Sequence, residues 1–179
     1  MNHQAVTERV NLTFQDYQDN EVELPFRLLV LSDLTCDKRS QDMADSNLIK
    51  VENGIGALLP TLNIVLNLQL ENKLNPFSEE LIQVNYDLTS LEDFDPESLL
   101  NGITELNNAL SLFNQLGNEN IKHTRFIDLL SEFGFKPESA EDFNERLVIQ
   151  HELHQRMNDQ LDLIVQNARF RALESSWRS

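Results

Sequence analysis

Four residues in a predicted C-terminal helix are the first candidates for chemistry. They read His151-Glu152-Leu153-His154, and a glutamate between two histidines suggests a zinc protease. In that motif the histidines are four positions apart on one helix face, so both reach the same metal ion. Here they are three positions apart and no third ligand is evident. Two solvated histidines on a polar helix face are therefore the favoured interpretation.

A cluster of carboxylates lies just before another predicted helix. Glu92, Asp93, Asp95 and Glu97 could form an acid–base pair or a calcium loop. The spacing of an EF-hand loop does not match. Carboxylates at the start of a helix cap its free amides and complement its dipole. Capping is therefore the favoured role for this cluster.

The chain has one cysteine, Cys36, which excludes an internal disulfide and fits a reducing cytoplasm. No histidine lies near it in sequence to activate it, so a loop or small-core cysteine is the favoured interpretation. The five glycines form no phosphate-binding loop, and no serine lies in a nucleophile elbow. We therefore expect neither enzymatic activity nor a cofactor.

Charge and length limit the possible partners. Acidic residues outnumber basic ones 30 to 14 and give a net charge of -16, which argues against binding to nucleic acid or an anionic membrane surface. No segment has the apolar length of a membrane span, and residues 1–8 lack the apolar core of a signal peptide. The length of 179 residues suits one domain, or one domain with an appendage.

Alternating patterns predict the strands. Residues 9–14 predict a short strand with one apolar face, and residues 21–31 predict a strand whose apolar run, 26–31, is buried on both faces. Residues 63–70 and 82–88 alternate cleanly and predict a hairpin with a long loop. Residues 53–59 predict a brief helix that stops before Pro60.

Helical periodicity follows. Asp95 and Pro96 predict the start of one helix that ends near Gly117. Its apolar seam could pack on the chain's own sheet, which the pattern favours, or on a partner helix. Further helices are predicted over 125–135, ended by Gly134 and Pro137, and over 141–165, capped by Ser139. The seam comprises Leu99, Ile103, Leu106, Leu110 and Phe113; the stripe of the 141–165 helix comprises Phe143, Leu147, Leu153, Met157, Leu161 and Ile164.

The predicted fold class is α+β: a small mixed β-sheet with an alternating-pattern hairpin and packed helices, followed by an α-helical C-terminal segment. We expect a domain over residues 1–117, a linker over 118–124 and a helical segment over 125–179.

Several ordered segments resemble a known family. They are Glu8-Arg9-Val10-Asn11-Leu12, residues 21–33, the strand that ends in Asn72-Lys73-Leu74, and the stretch from Ser90 to Glu97. Residues 8–117 thereby resemble the small subunit of the type VI secretion contractile sheath, the TssB family. Members usually have Gly-Asp-Phe after the buried strand, where this chain has Ser32-Asp33-Leu34.

The remaining segment resembles a different protein. Residues 160–178, which end in Leu173-Glu174-Ser175-Ser176-Trp177-Arg178, are similar to the start of the large sheath subunit, the TssC family, although Gln166-Asn167 replace its histidine pair. The resemblance implies a small subunit joined to the leading helices of the large one, whether by natural fusion or by engineering. A small subunit with an unusual C-terminus is the alternative.

The resemblance implies a structural, cytoplasmic protein. It would co-fold with the large sheath subunit, contact neighbouring protomers and form a tubular lattice that contracts around an inner tube. Val10, Leu12 and Phe14 are candidates for a strand donated to a neighbour, tethered by residues 16–20; pairing within its own sheet is equally open. The face formed by Phe126, Leu129, Leu130 and Phe133 is a candidate for recognition by the AAA+ unfoldase ClpV; packing on its own protomer is favoured.

Two other functions stay open. One is a stand-alone adaptor that binds a partner through its helical tail. The other is an enzyme whose site is not visible as a motif, which would need a deep pocket lined by convergent polar groups.

Overall fold

The structure is a computed structural model that describes residues 12–15, 21–24, 33–36, 51, 54–117, 123–136, 140 and 142–178. The chain divides into two units between Ser32 and Asp33. Each unit is described separately below.

The first unit contains an antiparallel pair of strands, β1 (Leu12–Gln15) and β2 (Glu21–Leu24). Leu12 pairs with Leu24 and Gln15 with Glu21. Strands were predicted in both places, and the described residues confirm them. Val10 and the apolar run 26–31 lie outside the described residues, as does the tether at 16–20.

The second unit contains another antiparallel pair, β3 (Ile64–Leu70) and β4 (Ile82–Leu88), in a register that joins Ile64 to Leu88 and Leu70 to Ile82. Alternate residues of both strands are buried, as the period-two pattern predicted. The side chains of Asn72 and Asn75 accept backbone N–H bonds inside the connecting loop. The alternation therefore gives one apolar face to the core and one polar face to water.

The chain before β3 forms a 3₁₀ turn, Ile55–Leu58, that continues into α1 (Leu59–Leu62). The prediction that this helix stops before Pro60 was wrong, because Pro60 lies in the first turn of α1. A proline is tolerated there since its missing N–H has no partner to lose. The helix ends at Asn63, whose φ of 48° is left-handed.

The predicted single helix after Pro96 is two helices, α2 (Pro96–Gly102) and α3 (Thr104–Leu116). They separate at Ile103, where the backbone is extended with φ −87° and ψ 123°. A Cβ on Gly102 would lie 2.2 Å from Cε2 of Tyr86, so the chain passes directly against β4. Glycine permits this approach, and its weak helix propensity favours the break.

Three helices complete the unit: α4 (His123–Glu132), α5 (Phe143–Val165) and α6 (Ala168–Arg178). Helix α4 begins inside the predicted linker and ends as predicted at Gly134, whose φ is 75°. The N–H of Phe135 reaches back to Leu130 O at 2.8 Å, which closes a Schellman turn. Ser139 lies outside the described residues, and α5 has Asp142 at its N-cap.

Helix α5 packs against α3, α2, β3 and α6, and α3 also packs against α4. The predicted α5 stripe was right from Leu153 onward, but Phe143 and Leu147 are exposed and Ile149 is buried instead. The α+β fold class is confirmed, with the described strands arranged as two separate antiparallel pairs. One hydrophobic core joins the β3–β4 hairpin to all the helices from α2 to α6.

Candidate functional site

The strand proposed for donation pairs within its own chain in this structure. β1 forms a ladder with β2, which is the intramolecular alternative left open by the sequence. Each sheet has two strands among the described residues, so each strand has one edge without a strand partner in that part of the chain. Edges of this kind can accept a further strand through main-chain hydrogen bonds.

The predicted helix seam is divided by the break at Ile103. Leu99, Ile103 and Leu106 are buried, whereas Leu110 and Phe113 are only half-buried. The buried side of α3 continues through three residues that the seam left out: Ala109, Leu112 and Leu116. Because α3 packs on α4 and α5, the chain supplies its own partner helices for this seam.

The candidate recognition face on α4 is also buried. Phe126, Leu129, Leu130 and Phe133 all belong to the core of the second unit. The structure therefore has the favoured arrangement, in which this face packs on its own protomer. A partner could bind these four side chains only if α4 left the core.

A buried arginine joins three elements of the second unit. Nη1 of Arg156, on α5, donates to Leu74 O in the β3–β4 loop at 3.1 Å and to Phe133 O after α4 at 2.8 Å. Its guanidinium lies 4.4 Å from the centre of the Phe135 ring. Nη2 donates to Glu152, one turn earlier on α5. One side chain therefore fixes the positions of α4 and the hairpin loop relative to α5.

Two glutamines of α5 make further hydrogen bonds to other elements. Oε1 of the buried Gln160 accepts the backbone N–H of Lys73 at 2.8 Å. Nε2 of Gln150 donates to Phe113 O at 3.0 Å, close to the end of α3. Since these bonds involve backbone groups of other elements, they hold α5 in register on the domain.

Helix α6 is held by contacts at both of its ends. Nε1 of Trp177 donates to Leu34 O at 2.9 Å, and Nη2 of Arg178 contacts Asp95 Oδ1 at 2.6 Å. Phe170 packs edge-on against Phe94, with ring centres 5.7 Å apart. The helical tail is thus part of the core, whereas an adaptor that binds through its tail would present these side chains to a partner.

The carboxylate cluster before α2 has structural roles. Asp93 accepts bonds from the backbone N–H groups of Thr89 and Ser90 at 2.6 and 2.8 Å, as part of a capping box. Burial raises the pKa of Asp93, but these hydrogen bonds outweigh it and hold the pKa below its usual value. Asp95 occupies the N-cap of α2 but makes no side-chain cap, and its carboxylate pairs with Arg178.

Tyr86 lies beside this cluster. Burial, followed by the charge of Asp93 and a hydrogen bond to it, raises the pKa of Tyr86 to about 12. The phenol therefore stays protonated to a higher pH than the side chain of a free tyrosine.

The other candidates for chemistry are separated. His151 and His154 are exposed, and His154 lies beside the Phe113 ring. Sγ of the half-buried Cys36 lies 3.4 Å from Ser176 Oγ. Across the residues that the structure describes, no group of three or more His, Cys, Asp or Glu side chains could hold a metal ion. In the same residues, no helix has the length and apolar character needed to cross a membrane.

Sequence reasoning missed Arg156 because a charged residue on a long helix is usually exposed. It also missed the exposed Phe77 in the β3–β4 loop. The buried face of α3 could have been predicted from the sequence, because Ala109, Leu112 and Leu116 follow Leu106 at helical spacing. The residues next to Arg156 and Phe77 in the sequence form no pattern that would predict the burial of Arg156 or the exposure of Phe77.

The comparison with protein families identifies the chain. A family model described as "Type VI secretion system, VipA, VC_A0107 or Hcp2" matches residues 2–129. The chain belongs to this family, since the match covers more than half of it. The family is a structural component of the type VI secretion sheath and not a family of enzymes. No curated protein matches the chain.

The family match extends further than the TssB resemblance, which ended at residue 117. It includes residues 125–129, which the resemblance placed in the second segment. The match gives no support to a TssC-like identity for residues 125–179, and that identity stays a prediction.

Proposed function

We propose that this protein is a structural subunit of a type VI secretion contractile sheath in the cytoplasm. It co-folds with a large sheath subunit of the TssC type and assembles with neighbouring protomers into a tubular lattice. The lattice contracts around an inner tube. The family match over residues 2–129 carries this proposal.

The packing of the tail supports co-folding. Helices α5 and α6 bury a continuous set of side chains in the core of the second unit: Leu153, Met157, Leu161, Ile164, Phe170, Leu173 and Trp177. If these helices correspond to the start of a large subunit, that subunit would cover the small one through this buried surface. The proposed domains are then residues 1–117 and 125–179, joined by a linker at 118–124. Each domain covers apolar side chains of the other.

Strand exchange is proposed for the first unit. β1 and β2 are short strands of the first unit, which ends in the sequence at Ser32. Donation of the strand that contains Val10, Leu12 and Phe14 to a neighbour would link protomers through backbone hydrogen bonds, which tolerate varied side chains. Residues 16–20 would then act as the tether.

Recycling by a ClpV-type unfoldase is a further part of the proposal. Because the face of α4 is buried here, recognition would require this helix to leave its site, for example after contraction. Release would expose Phe126, Leu129 and Leu130, an apolar stripe of the kind that binds in a groove.

Co-expression with the main domain of a large sheath subunit tests the proposal. We expect the two chains to purify together and to form tubes or rings under negative-stain electron microscopy. Deletion of residues 1–15 should abolish the tubes but not the co-purification, because the second unit stays intact. A chain that stays alone and monomeric beside the large subunit would contradict the sheath role.

Removing residues 123–179 tests whether the tail completes the core. The truncated chain should aggregate, because Leu106, Leu112 and Leu116 lose the helices that cover them. Soluble yield and size-exclusion chromatography provide the measurement. A soluble, monomeric product with the circular dichroism of a folded domain would show that the two segments are independent.

A further inference from the structure

The second unit begins with residues 33–36, an entry segment that directly follows the first unit in the sequence. Within it, Oδ1 of Asp33 accepts the backbone N–H groups of Thr35 and Cys36 at 3.1 and 3.0 Å. Cys36 has a φ of 48°, a left-handed conformation that residues other than glycine rarely adopt. Such a conformation persists where surrounding contacts impose it.

The last turn of α6 supplies contacts to this segment. Nε1 of Trp177 donates to Leu34 O at 2.9 Å, and Oγ of Ser176 lies 3.4 Å from Sγ of Cys36. Leu34 and Cys36 are half-buried and pack against the core. Trp177 and Leu34 are 143 positions apart in the sequence, so the end of α6 holds the beginning of the unit.

Trp177 joins the core and the entry segment through one side chain. Its ring is buried in the core, whereas its N–H reaches the backbone of Leu34. A buried tryptophan usually needs an acceptor for this group. Because the acceptor here is a main-chain carbonyl, the bond restrains the backbone itself. Release of α6 from the core would therefore remove this restraint together with the Ser176 contact.

We propose that Trp177 is a positioning residue for strand exchange. When α6 is docked, Trp177 fixes the entry segment, which is the point where the first unit and its exchange strand are attached. This rests on the strand exchange proposed above. A strand attached at a fixed point has a higher effective concentration near an acceptor edge than a strand on a longer free tether. Because residues 160–178 resemble the start of the large subunit, docking of that segment promotes links between protomers.

The labelling rate of Cys36 in the full chain tests the anchor. Cys36 is the only cysteine of the sequence, so the thiol reagent DTNB reports on this one position. Trp177→Phe keeps an aromatic ring in the core and removes the N–H donor. It should raise the labelling rate by about three- to tenfold, after each rate is divided by that of the same variant unfolded in urea.

Asp33→Ala releases the same segment without a change in α6. Asp33 is exposed, so the variant should keep the wild-type circular dichroism spectrum. Loss of its bonds to the backbone of Thr35 and Cys36 should also raise the labelling rate by about three- to tenfold. Because both substitutions loosen one segment, their effects should combine to less than their product in the double variant.

Arg178→Gln is the matched control variant. It removes the ion pair with Asp95 at the same end of α6, but neither residue belongs to the entry segment. Both side chains of this pair are partly exposed, so its loss has a small effect. The labelling rate should stay within about twofold of wild type.

Assembly with the main domain of a large sheath subunit tests the role in exchange. Trp177→Phe and Asp33→Ala should still co-purify with that domain. The protein concentration at which tubes form should rise by about two- to fivefold for both variants, because the tether of the exchange strand is longer. Arg178→Gln should form tubes at the wild-type concentration.

Two results would overturn the proposal. One is a labelling rate that Trp177→Phe leaves unchanged, or that Arg178→Gln raises equally. The other is faster labelling of Trp177→Phe with tubes at the wild-type concentration, because the anchor would then serve the fold alone. If Trp177→Phe does not fold, Asp33→Ala decides by the same two measurements. A wild-type chain that forms no tubes contradicts the sheath role and the exchange role together, whereas the labelling rates still show whether Trp177 holds the entry segment.

Discussion

Replacing Arg156 with alanine tests how the helices and the hairpin loop are held together. Two carbonyls, Leu74 O and Phe133 O, would lose the donor that satisfies them inside the protein. Each unsatisfied carbonyl costs about 1–3 kcal/mol. Loss of the guanidinium from the Phe135 ring adds about 0.5–2 kcal/mol. Together these terms give a loss of about 3–8 kcal/mol, a large fraction of the roughly 5–15 kcal/mol that stabilises a domain.

The ion pair with Glu152 contributes little to this estimate. The Glu152 side chain is 49% exposed, so water screens the attraction. Glu152→Gln should therefore cost less than about 1 kcal/mol. Arg156→Lys should fall between the two, because a compact ammonium cannot bond both carbonyls and stack on a ring.

Urea unfolding followed by fluorescence of Trp177 measures these changes. This is the one tryptophan of the chain, and it is only 3% exposed in the core. In a separate thermal unfolding experiment, a loss of this size should lower the melting temperature by about 10 °C or more for a chain of this length. If Arg156→Ala stays within about 1 kcal/mol of wild type, or if Glu152→Gln costs as much, the central role given to the guanidinium is wrong.

Three further predictions concern the hairpin and its surroundings. Leu66 is fully buried, so Leu66→Asp should yield no soluble folded protein, since a buried unpaired charge costs several kcal/mol; Asn67→Asp on the opposite face should express normally. Gly134→Ala should lower the free energy of unfolding in urea by about 1–2 kcal/mol, because φ is 75° and the new Cβ would meet a side chain of the loop; an unchanged value would contradict the turn geometry. Burial raises the pKa of Tyr86 in the folded protein to about 12, above the usual 10.0 of an exposed tyrosine, so its contribution to stability is intact below pH 10 and lost as the pH rises toward 12. The free energy of unfolding should therefore fall less steeply between pH 10 and pH 12 for Tyr86→Phe than for the wild type. An identical pH dependence in the two proteins would show that ionisation of the phenol is not coupled to folding.

Local patterns were sufficient where one short segment decides its own structure. The alternation in β3 and β4 placed Leu66 and its neighbours correctly, because side chains on a strand point to opposite faces whatever lies around them. Gly134 ended α4 as expected, because a left-handed residue after a helix strongly favours glycine. The absence of catalytic motifs indicated a structural protein, in agreement with the family that the match identifies.

Packing between distant segments decided the rest. The break at Ile103 arises where Gly102 meets Tyr86, a contact between residues that no local pattern connects. The bond from Trp177 to Leu34 O likewise joins residues that lie 143 positions apart in the sequence.

The amino-acid sequence alone thus determined the α+β class, the β3–β4 strands, most of the helices and, by resemblance, the sheath family. Only the tertiary structure decided that the α4 face and the helical tail lie within the core, and that Arg156 joins α5 to two other elements. The physical reason is that an apolar helix face must be covered, but its sequence does not specify which surface covers it.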